Sequence, residues 1–164
     1  MKRKVVLYNN PLLLKKSAPV REVNAAIQKL AHNLIDTMRA NNGVGLSAPQ
    51  IGMLKRIIAY EYKRPKGSKD ITPNVPLRVL INPEIIKLSK KTKVDEEGCL
   101  SFPDLFGQVK RSTGIRVRAL NSKGKLIEFD AKDFEARIIQ HEVDHLDGIL
   151  FIQKLTDNKL YTYK

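Results

Sequence analysis

The sequence predicts an α+β fold with mostly antiparallel strands around a central helix that carries an H-E-x-x-H sequence. Short stretches of strand-forming residues follow one another without the strand–helix alternation typical of a parallel sheet. Two amphipathic segments have apolar residues at helical spacing, one near each end of the chain. With 164 residues, 42% of them hydrophobic, the chain can form one core but hardly two, so we predict a single domain over residues 1–164.

The N-terminal amphipathic helix is predicted from Val23 to Met38, where apolar residues recur every three or four positions. We expect it to end near the Asn-Asn-Gly sequence at residues 41–43, since Asn and Gly accept the left-handed backbone that closes a helix. A strand is predicted at Arg56–Tyr60. From Lys63 to Pro76, prolines, glycine and charges predict an exposed loop.

The second half of the chain is predicted to contain further strands and the central helix. A turn at residues 121–124 is expected to join the last two strands as a hairpin. The central helix is predicted from about Phe134 to Leu146, ending near Asp147 and Gly148. The predicted strands are Arg78–Ile81, Ile85–Leu88, Gly114–Leu120 and Leu126–Phe129.

Composition limits the classes of function. The only cysteine, Cys99, excludes an intrachain disulfide and favours a reducing compartment such as the cytoplasm. No apolar run approaches the roughly 20 residues of a membrane-spanning helix, so no membrane partner is expected. The net charge of +13 favours polyanionic surroundings such as ribosomes, although a merely basic protein explains it equally well. No aromatic-and-basic pattern predicts sequence-specific nucleic-acid binding.

Residues His141–His145 read H-E-V-D-H within the central helix. Side chains four positions apart lie on one helix face, so both imidazoles can reach one metal ion while Glu142 lies beside it. The alternative is a solvated helix with two surface histidines. The chain has three histidines, and two of them have this spacing, which favours the metal site.

A catalytic metal site usually has a third protein ligand. After His145 the sequence contains neither Glu nor His and leaves only Asp147 and Asp157, which argues against a common zinc protease. Cys99, in a predicted turn at residues 97–101, offers a thiolate, a strong ligand for zinc or ferrous iron. A buried structural thiol and a nucleophilic cysteine are the alternatives.

The segment Gly43–Gln50 reads GVGLSAPQ. Small residues allow a ligand to approach the backbone, and the Gln50 amide can donate to an oxyanion. A helix cap followed by a loop would have the same appearance, so this segment by itself decides little.

Together the three segments resemble the peptide deformylase family, whose signatures are G-x-G-L-A-A-x-Q, E-G-C-L-S and Q-H-E-x-D-H. Here they read GVGLSAPQ, EGCLS and QHEVDH in the same order, and the resemblance extends from about Val5 to Leu155. Ser47 stands where the family usually has Ala, and the loop at residues 61–76 is longer than a minimal member needs. The chain ends at Lys164 without the basic C-terminal helix of many bacterial members, so ribosome docking is a weaker expectation than catalysis.

The resemblance implies a catalytic domain that removes the N-formyl group from the N-terminal methionine of nascent polypeptides and releases formate. Fe²⁺ is the ion expected in the cell, and Zn²⁺, Ni²⁺ or Co²⁺ would suit the same ligands in purified protein. A bacterial, organellar or viral source would fit. The implied roles are Cys99, His141 and His145 as metal ligands, Glu142 as general base, Gln50 and the Leu100 backbone N–H as oxyanion donors, and Glu97 with Arg111 as an ion pair that steadies the cysteine loop.

The methionine side chain of such a substrate needs an apolar pocket. Phe134 and Ile138 share a helical stripe with the two motif histidines, so we predict that they line it, although an ordinary core role explains them as well. Gly43 and Gly45 are expected to let the substrate backbone lie close, as an added strand.

Two other functions stay open on the sequence alone. One is a metallo-amidase acting on a different acyl amide. The other is a non-catalytic, metal-binding module associated with the ribosome, against which the intact Glu142 argues.

Overall fold

Seven strands, two α-helices and three short 3₁₀ helices make up the regular structure of the computed structural model, which describes residues 1–163. Lys164, the last residue of the predicted domain, lies outside the described residues. The strands pair antiparallel in a five-stranded sheet of order β1-β2-β3-β6-β7 and a two-stranded sheet of β4 and β5. The α+β class with antiparallel strands is confirmed. The strands are β1 Gly45–Ser47, β2 Ile57–Tyr62, β3 Val75–Leu88, β4 Thr92–Cys99, β5 Phe102–Ser112, β6 Gly114–Leu120 and β7 Leu126–Lys132.

Helix α1 comprises Ala25–Ala40 and begins two residues after the predicted start at Val23. Asn24 defines this start, because its side chain accepts hydrogen bonds from the backbone N–H groups of Ala26 and Ile27, both at 3.1 Å. The C-terminal end follows the predicted signal, with Asn42 in the left-handed conformation at φ 54°. The apolar face of α1 buries Leu30, Leu34 and Met38 against the five-stranded sheet.

Helix α2, Asp133–Leu146, contacts both sheets and is enclosed by them. Ile139, Val143 and Leu146 join a core cluster with residues of the five-stranded sheet. Because protein surrounds the helix, its polar residues are buried as well, from Arg137 to His145 with only Asp144 partly exposed. Neither helix of residues 1–163 has the length and apolar character needed to cross a membrane.

The predicted strands Arg78–Ile81 and Ile85–Leu88 are wrong as separate elements, since β3 runs through both. Their separation in the sequence reflects an irregularity within β3: Asn82 has φ 51°, and the pairing register shifts between Ile81 and Glu84. Asn82 fixes this bulge by exchanging two hydrogen bonds of 2.8 Å with the backbone of Val20.

The β4–β5 hairpin corrects the predicted turn at residues 97–101. Residues up to Cys99 belong to β4, and only Leu100 and Ser101 form the turn before Phe102 begins β5. Strand β4 has the sequence TKVDEEGC, in which charged residues obscure the alternation that usually reveals a strand. The predicted loop after β2 is likewise shorter, at residues 63–74, because β3 begins at Val75.

Candidate metal centre and active site

Three side chains with metal-ligating atoms come together from two elements. Cys99 ends β4, whereas His141 and His145 lie one turn apart on α2. Their ligand atoms all lie within 4.8 Å of one another, and Cys99 Sγ is 3.3 Å from His145 Nε2. One thiolate and two imidazoles form a donor set that fits a single divalent zinc-like or ferrous ion.

The protonation of the two histidines differs. Burial holds the pKa of His145 well below its usual value, which favours the neutral imidazole that a metal requires. Burial acts in the same direction on His141, but hydrogen bonds with Cys99 and Glu97 raise the pKa of His141 well above its usual value.

Glu97 is a buried carboxylate that orients the first histidine. Its Oε2 atom lies 2.9 Å from His141 Nδ1, so Nδ1 carries the hydrogen and Nε2 is left to bind a metal. Arg111 binds both carboxylate oxygens, through Nε at 2.9 Å and Nη2 at 3.0 Å, and Arg137 binds Oε1 at 2.8 Å. Burial opposes ionisation, yet the hydrogen bonds from His141 and Arg111 hold the pKa of Glu97 well below its usual range.

The structure thus places the predicted partners Glu97 and Arg111 in a bidentate ion pair. Sequence reasoning missed two further members of this network. Arg137 also donates to the Val109 carbonyl at 2.9 Å, and Asp144 pairs with Arg111. Positions 137, 141 and 144 share one face of α2, so helical spacing around the motif is the signal that could have identified them.

Glu142 has a contrasting environment. It is 4% exposed, and its Oε2 atom has no hydrogen-bond partner among residues 1–163. Burial raises the pKa of Glu142 to about 7, a value at which a carboxyl group can both accept and release a proton near neutral pH. Gly45 packs directly against this side chain, since a Cβ atom at residue 45 would lie 2.5 Å from Glu142 Oε1.

The Gln50 side chain points toward Cys99. Its Nε2 atom lies 3.3 Å from Cys99 Sγ and 3.2 Å from Ser101 Oγ. Its Oε1 atom accepts hydrogen bonds from Ser47, from the backbone N–H at 2.9 Å and from the hydroxyl at 2.8 Å. A short 3₁₀ turn, Ala48–Ile51, carries Gln50 into this position.

A cavity of about 580 Å³ opens onto these groups. Phe134 and Ile138 line it and also pack on the core of the five-stranded sheet, so the two interpretations of these residues are compatible. The other site residues predicted from sequence that line the cavity are Gly43, Gly45, Gln50, Glu97, Cys99, Leu100, His141 and Glu142.

A partly buried thiol and two buried imidazoles lie beside an apolar cavity and a buried carboxylate whose Oε2 atom has no hydrogen-bond partner in residues 1–163. This combination defines the site of a metal-dependent hydrolase. The family model for polypeptide deformylase matches residues 2–160. A peptide deformylase of Desulforudis audaxviator is 45% identical over 152 residues, which cover 93% of this chain and 92% of the relative. One of Pseudothermotoga lettingae is 39% identical over 164 residues, covering 100% and 89%.

The solved structures to which this chain is similar are also peptide deformylases. The crystal structure of peptide deformylase from Thermotoga maritima is similar with a TM-score of 0.84 and 34% identity, covering 95% of this chain and 99% of that one. The Met-Ala-Ser-bound class I type b peptide deformylase from Acinetobacter baumannii gives a TM-score of 0.88 and 36% identity, covering 94% and 99%. The chain belongs to the peptide deformylase family. The predicted family and the predicted class of enzyme, a metal-dependent hydrolase, are confirmed.

Proposed function

We propose that this protein removes the N-formyl group from the N-terminal methionine of nascent polypeptides and releases formate, using one catalytic domain over residues 1–164. One observation carries the proposal. The ligand atoms of Cys99, His141 and His145 lie within 4.8 Å of one another at an apolar cavity, and the buried Glu142 adjoins them. The A. baumannii relative supports the substrate class, since it was solved with Met-Ala-Ser, a peptide that begins with methionine.

Cys99, His141 and His145 would hold one divalent cation, which we propose is Fe²⁺ in the cell. When bound, such an ion supplies Lewis acidity, which polarises a carbonyl group and makes water more acidic. The soft thiolate favours Fe²⁺, Zn²⁺, Ni²⁺ or Co²⁺ over Mg²⁺ or Ca²⁺. Glu97 would keep the His141 ring in the ligating orientation through the 2.9 Å contact at Nδ1.

Glu142 would move the protons of the reaction. Its carboxylate accepts a proton from the water that attacks the formyl carbon, and the carboxylic acid then donates a proton to the leaving amine nitrogen. Two features suit it to both steps. Its Oε2 atom is free of hydrogen-bond partners within residues 1–163, and its pKa is raised to about 7 by burial.

Gln50 and the backbone N–H of Leu100 would stabilise the negative charge that develops on the formyl oxygen. Gln50 Nε2 already faces Cys99, and Leu100 follows Cys99 in the turn and lines the cavity. Preoriented donors of this kind are each worth about 10²–10³ in kcat.

The substrate would extend along the sheet edge. Strand β1 is the edge strand of the five-stranded sheet and contains Gly45, so an extended peptide can pair with it. Gly43, just before β1, adds to the small-residue wall of the cavity. Phe134 and Ile138 would contact the methionine side chain of the peptide.

The proposed setting is a reducing cytoplasm close to ribosomes, where nascent chains emerge. The single cysteine and the net charge of +13 support it, because a thiolate ligand must stay reduced and a basic protein is attracted to RNA-rich particles.

A direct assay tests the proposed reaction. Metal content and formate release are measured with formyl-Met-Ala-Ser and with acetyl-Met-Ala-Ser as the matched substrate, on protein loaded anaerobically with Fe²⁺ or with Ni²⁺. We expect rapid formate release and little deacetylation. Comparable hydrolysis of both peptides would instead identify a broader metallo-amidase, and a fully loaded protein without turnover would identify a non-catalytic metal-binding module.

A further inference from the structure

Ser47 is a fully buried residue whose hydroxyl contacts the side chain of Gln50. Both the backbone N–H and the hydroxyl of Ser47 converge on one atom of the Gln50 amide, at 2.9 Å and 2.8 Å. A backbone N–H can only donate, so the atom that faces it is the amide oxygen rather than the nitrogen. This pair of contacts therefore fixes which end of the Gln50 amide points away from Ser47.

The opposite end is the Nε2 group, which faces Cys99 Sγ at 3.3 Å and Ser101 Oγ at 3.2 Å. A rotated amide would place its N–H group against the Ser47 N–H and its oxygen against the Cys99 sulfur. Both contacts are unfavourable, because each sets like partial charges together. With alanine at residue 47, only the backbone N–H would hold the amide oxygen.

We infer that Ser47 is a positioning residue, whose hydroxyl restrains the Gln50 amide so that its N–H is already directed at the reacting formyl oxygen. The inference rests on the proposed role of Gln50 as an oxyanion donor. Restraint of a donor before the reaction lowers the barrier, because no reorientation is needed as charge develops.

The first test is Ser47→Ala in the metal-loaded enzyme, with kcat, KM, metal content and Tm measured together. Loss of one hydrogen bond predicts about a two- to tenfold decrease in kcat, an unchanged KM and full metal content. Ser17→Ala is the matched control, since it removes a buried hydroxyl that has no hydrogen-bond partner within residues 1–163. We expect the control to leave kcat unchanged.

The second test is a double-mutant cycle with Gln50→Ala. If Ser47 acts through Gln50, Ser47→Ala has no further effect on kcat when Gln50 is absent. An equal decrease in both backgrounds would overturn the inference, as would a lowered Tm with unchanged kcat in the single variant. Both of these outcomes leave the proposed function intact. An unaffected kcat in Gln50→Ala alone would overturn the inference together with the proposed role of Gln50.

Discussion

Two buried carboxylates adjoin the same histidine, His141, in opposite environments. Glu97 accepts hydrogen bonds from Arg111, Arg137 and His141, and its pKa is held well below the usual range. Glu142 has an oxygen without a hydrogen-bond partner in the described chain, and burial raises its pKa to about 7. The comparison shows that burial alone does not set the charge of a carboxyl group, because at Glu97 the surrounding donors outweigh the effect of burial that dominates at Glu142.

This contrast separates two roles. A carboxylate with all its hydrogen bonds satisfied is held rigidly and can hold a neighbour, as Glu97 holds the ring of His141. A carboxylate with an open oxygen and a pKa near neutrality is suited to proton transfer, as we propose for Glu142. Substitution of Glu97 is therefore predicted to lower stability and metal affinity, whereas substitution of Glu142 is predicted to lower kcat.

The largest loss of activity is expected from substitution of the proposed metal ligand Cys99, because both glutamates are proposed to act at the metal site. Cys99→Ala should release the metal and abolish deformylation, because a distant carboxylate cannot replace the thiolate. Asp147→Ala and Asp157→Ala are the controls; Asp147 pairs with Arg56 at 2.7 Å, away from the donor set. The metal-to-protein ratio of each variant after dialysis shows which residue is the third metal ligand. Retention of metal by Cys99→Ala, with loss of metal in an Asp variant, would disprove the assignment of Cys99.

Glu142→Gln tests the proton-transfer side of the comparison. The amide preserves shape but cannot accept a proton, so we expect full metal content and a decrease in kcat of about 10²–10⁴. Activity and metal content are measured on the same preparation. A metal-loaded variant with nearly wild-type kcat would show that another group is the base.

Gly45→Ala tests whether kcat depends on the position of the Glu142 carboxylate. A methyl group would lie 2.5 Å from Glu142 Oε1 and 3.0 Å from its Cδ, so the enclosed carboxylate must move. A displacement of this size predicts a decrease in kcat of up to about 10². Gly114→Ala is the control, because the atom nearest to a Cβ at residue 114, Ser89 Cβ, would be 3.6 Å away. Equal losses of kcat in both variants would indicate a general effect on the fold.

Glu97→Gln tests whether the Glu97 carboxylate stabilises the fold and orients His141. It leaves Arg137 without its buried counter-charge and leaves Arg111 with Asp144 alone, which predicts a loss of about 3–5 kcal/mol in unfolding free energy. It also weakens the hold on His141, so metal affinity should decrease about 10- to 100-fold. In metal-saturated protein, kcat should change far less than in Glu142→Gln.

The matched control for this change is Glu128→Gln. Glu128 also contacts two arginines, Arg116 and Arg118, but on the exposed face of the sheet. Solvent screens such pairs, so Tm should remain nearly unchanged. Urea unfolding and metal titration of the two variants separate the predictions, and equal stability losses would contradict the role assigned to burial.

Local sequence signals located the parts of the fold that depend on neighbours along the chain. The bounds of α2 and the turn at residues 121–124 agree with the structure, and Asn42 closes α1 as its residue type indicates. The spacing of His141 and His145 placed both rings on one face, because the helix repeat is fixed by backbone geometry. The family motifs further identified Cys99 as the expected partner of these rings.

Only the tertiary structure determined where β4 lies and how the environments of Glu97 and Glu142 differ. The charged sequence of β4 does not reveal a strand, and β4 is stabilised by its pairing with β5. The same pairing brings Arg111 of β5 within hydrogen-bond distance of Glu97 in β4. That pairing, together with the helix face that presents Arg137, determines that Glu97 is satisfied while Glu142 is not. Both residues are glutamates in polar stretches of sequence, and their difference arises from donors distant along the chain, which only the folded packing brings within hydrogen-bond reach.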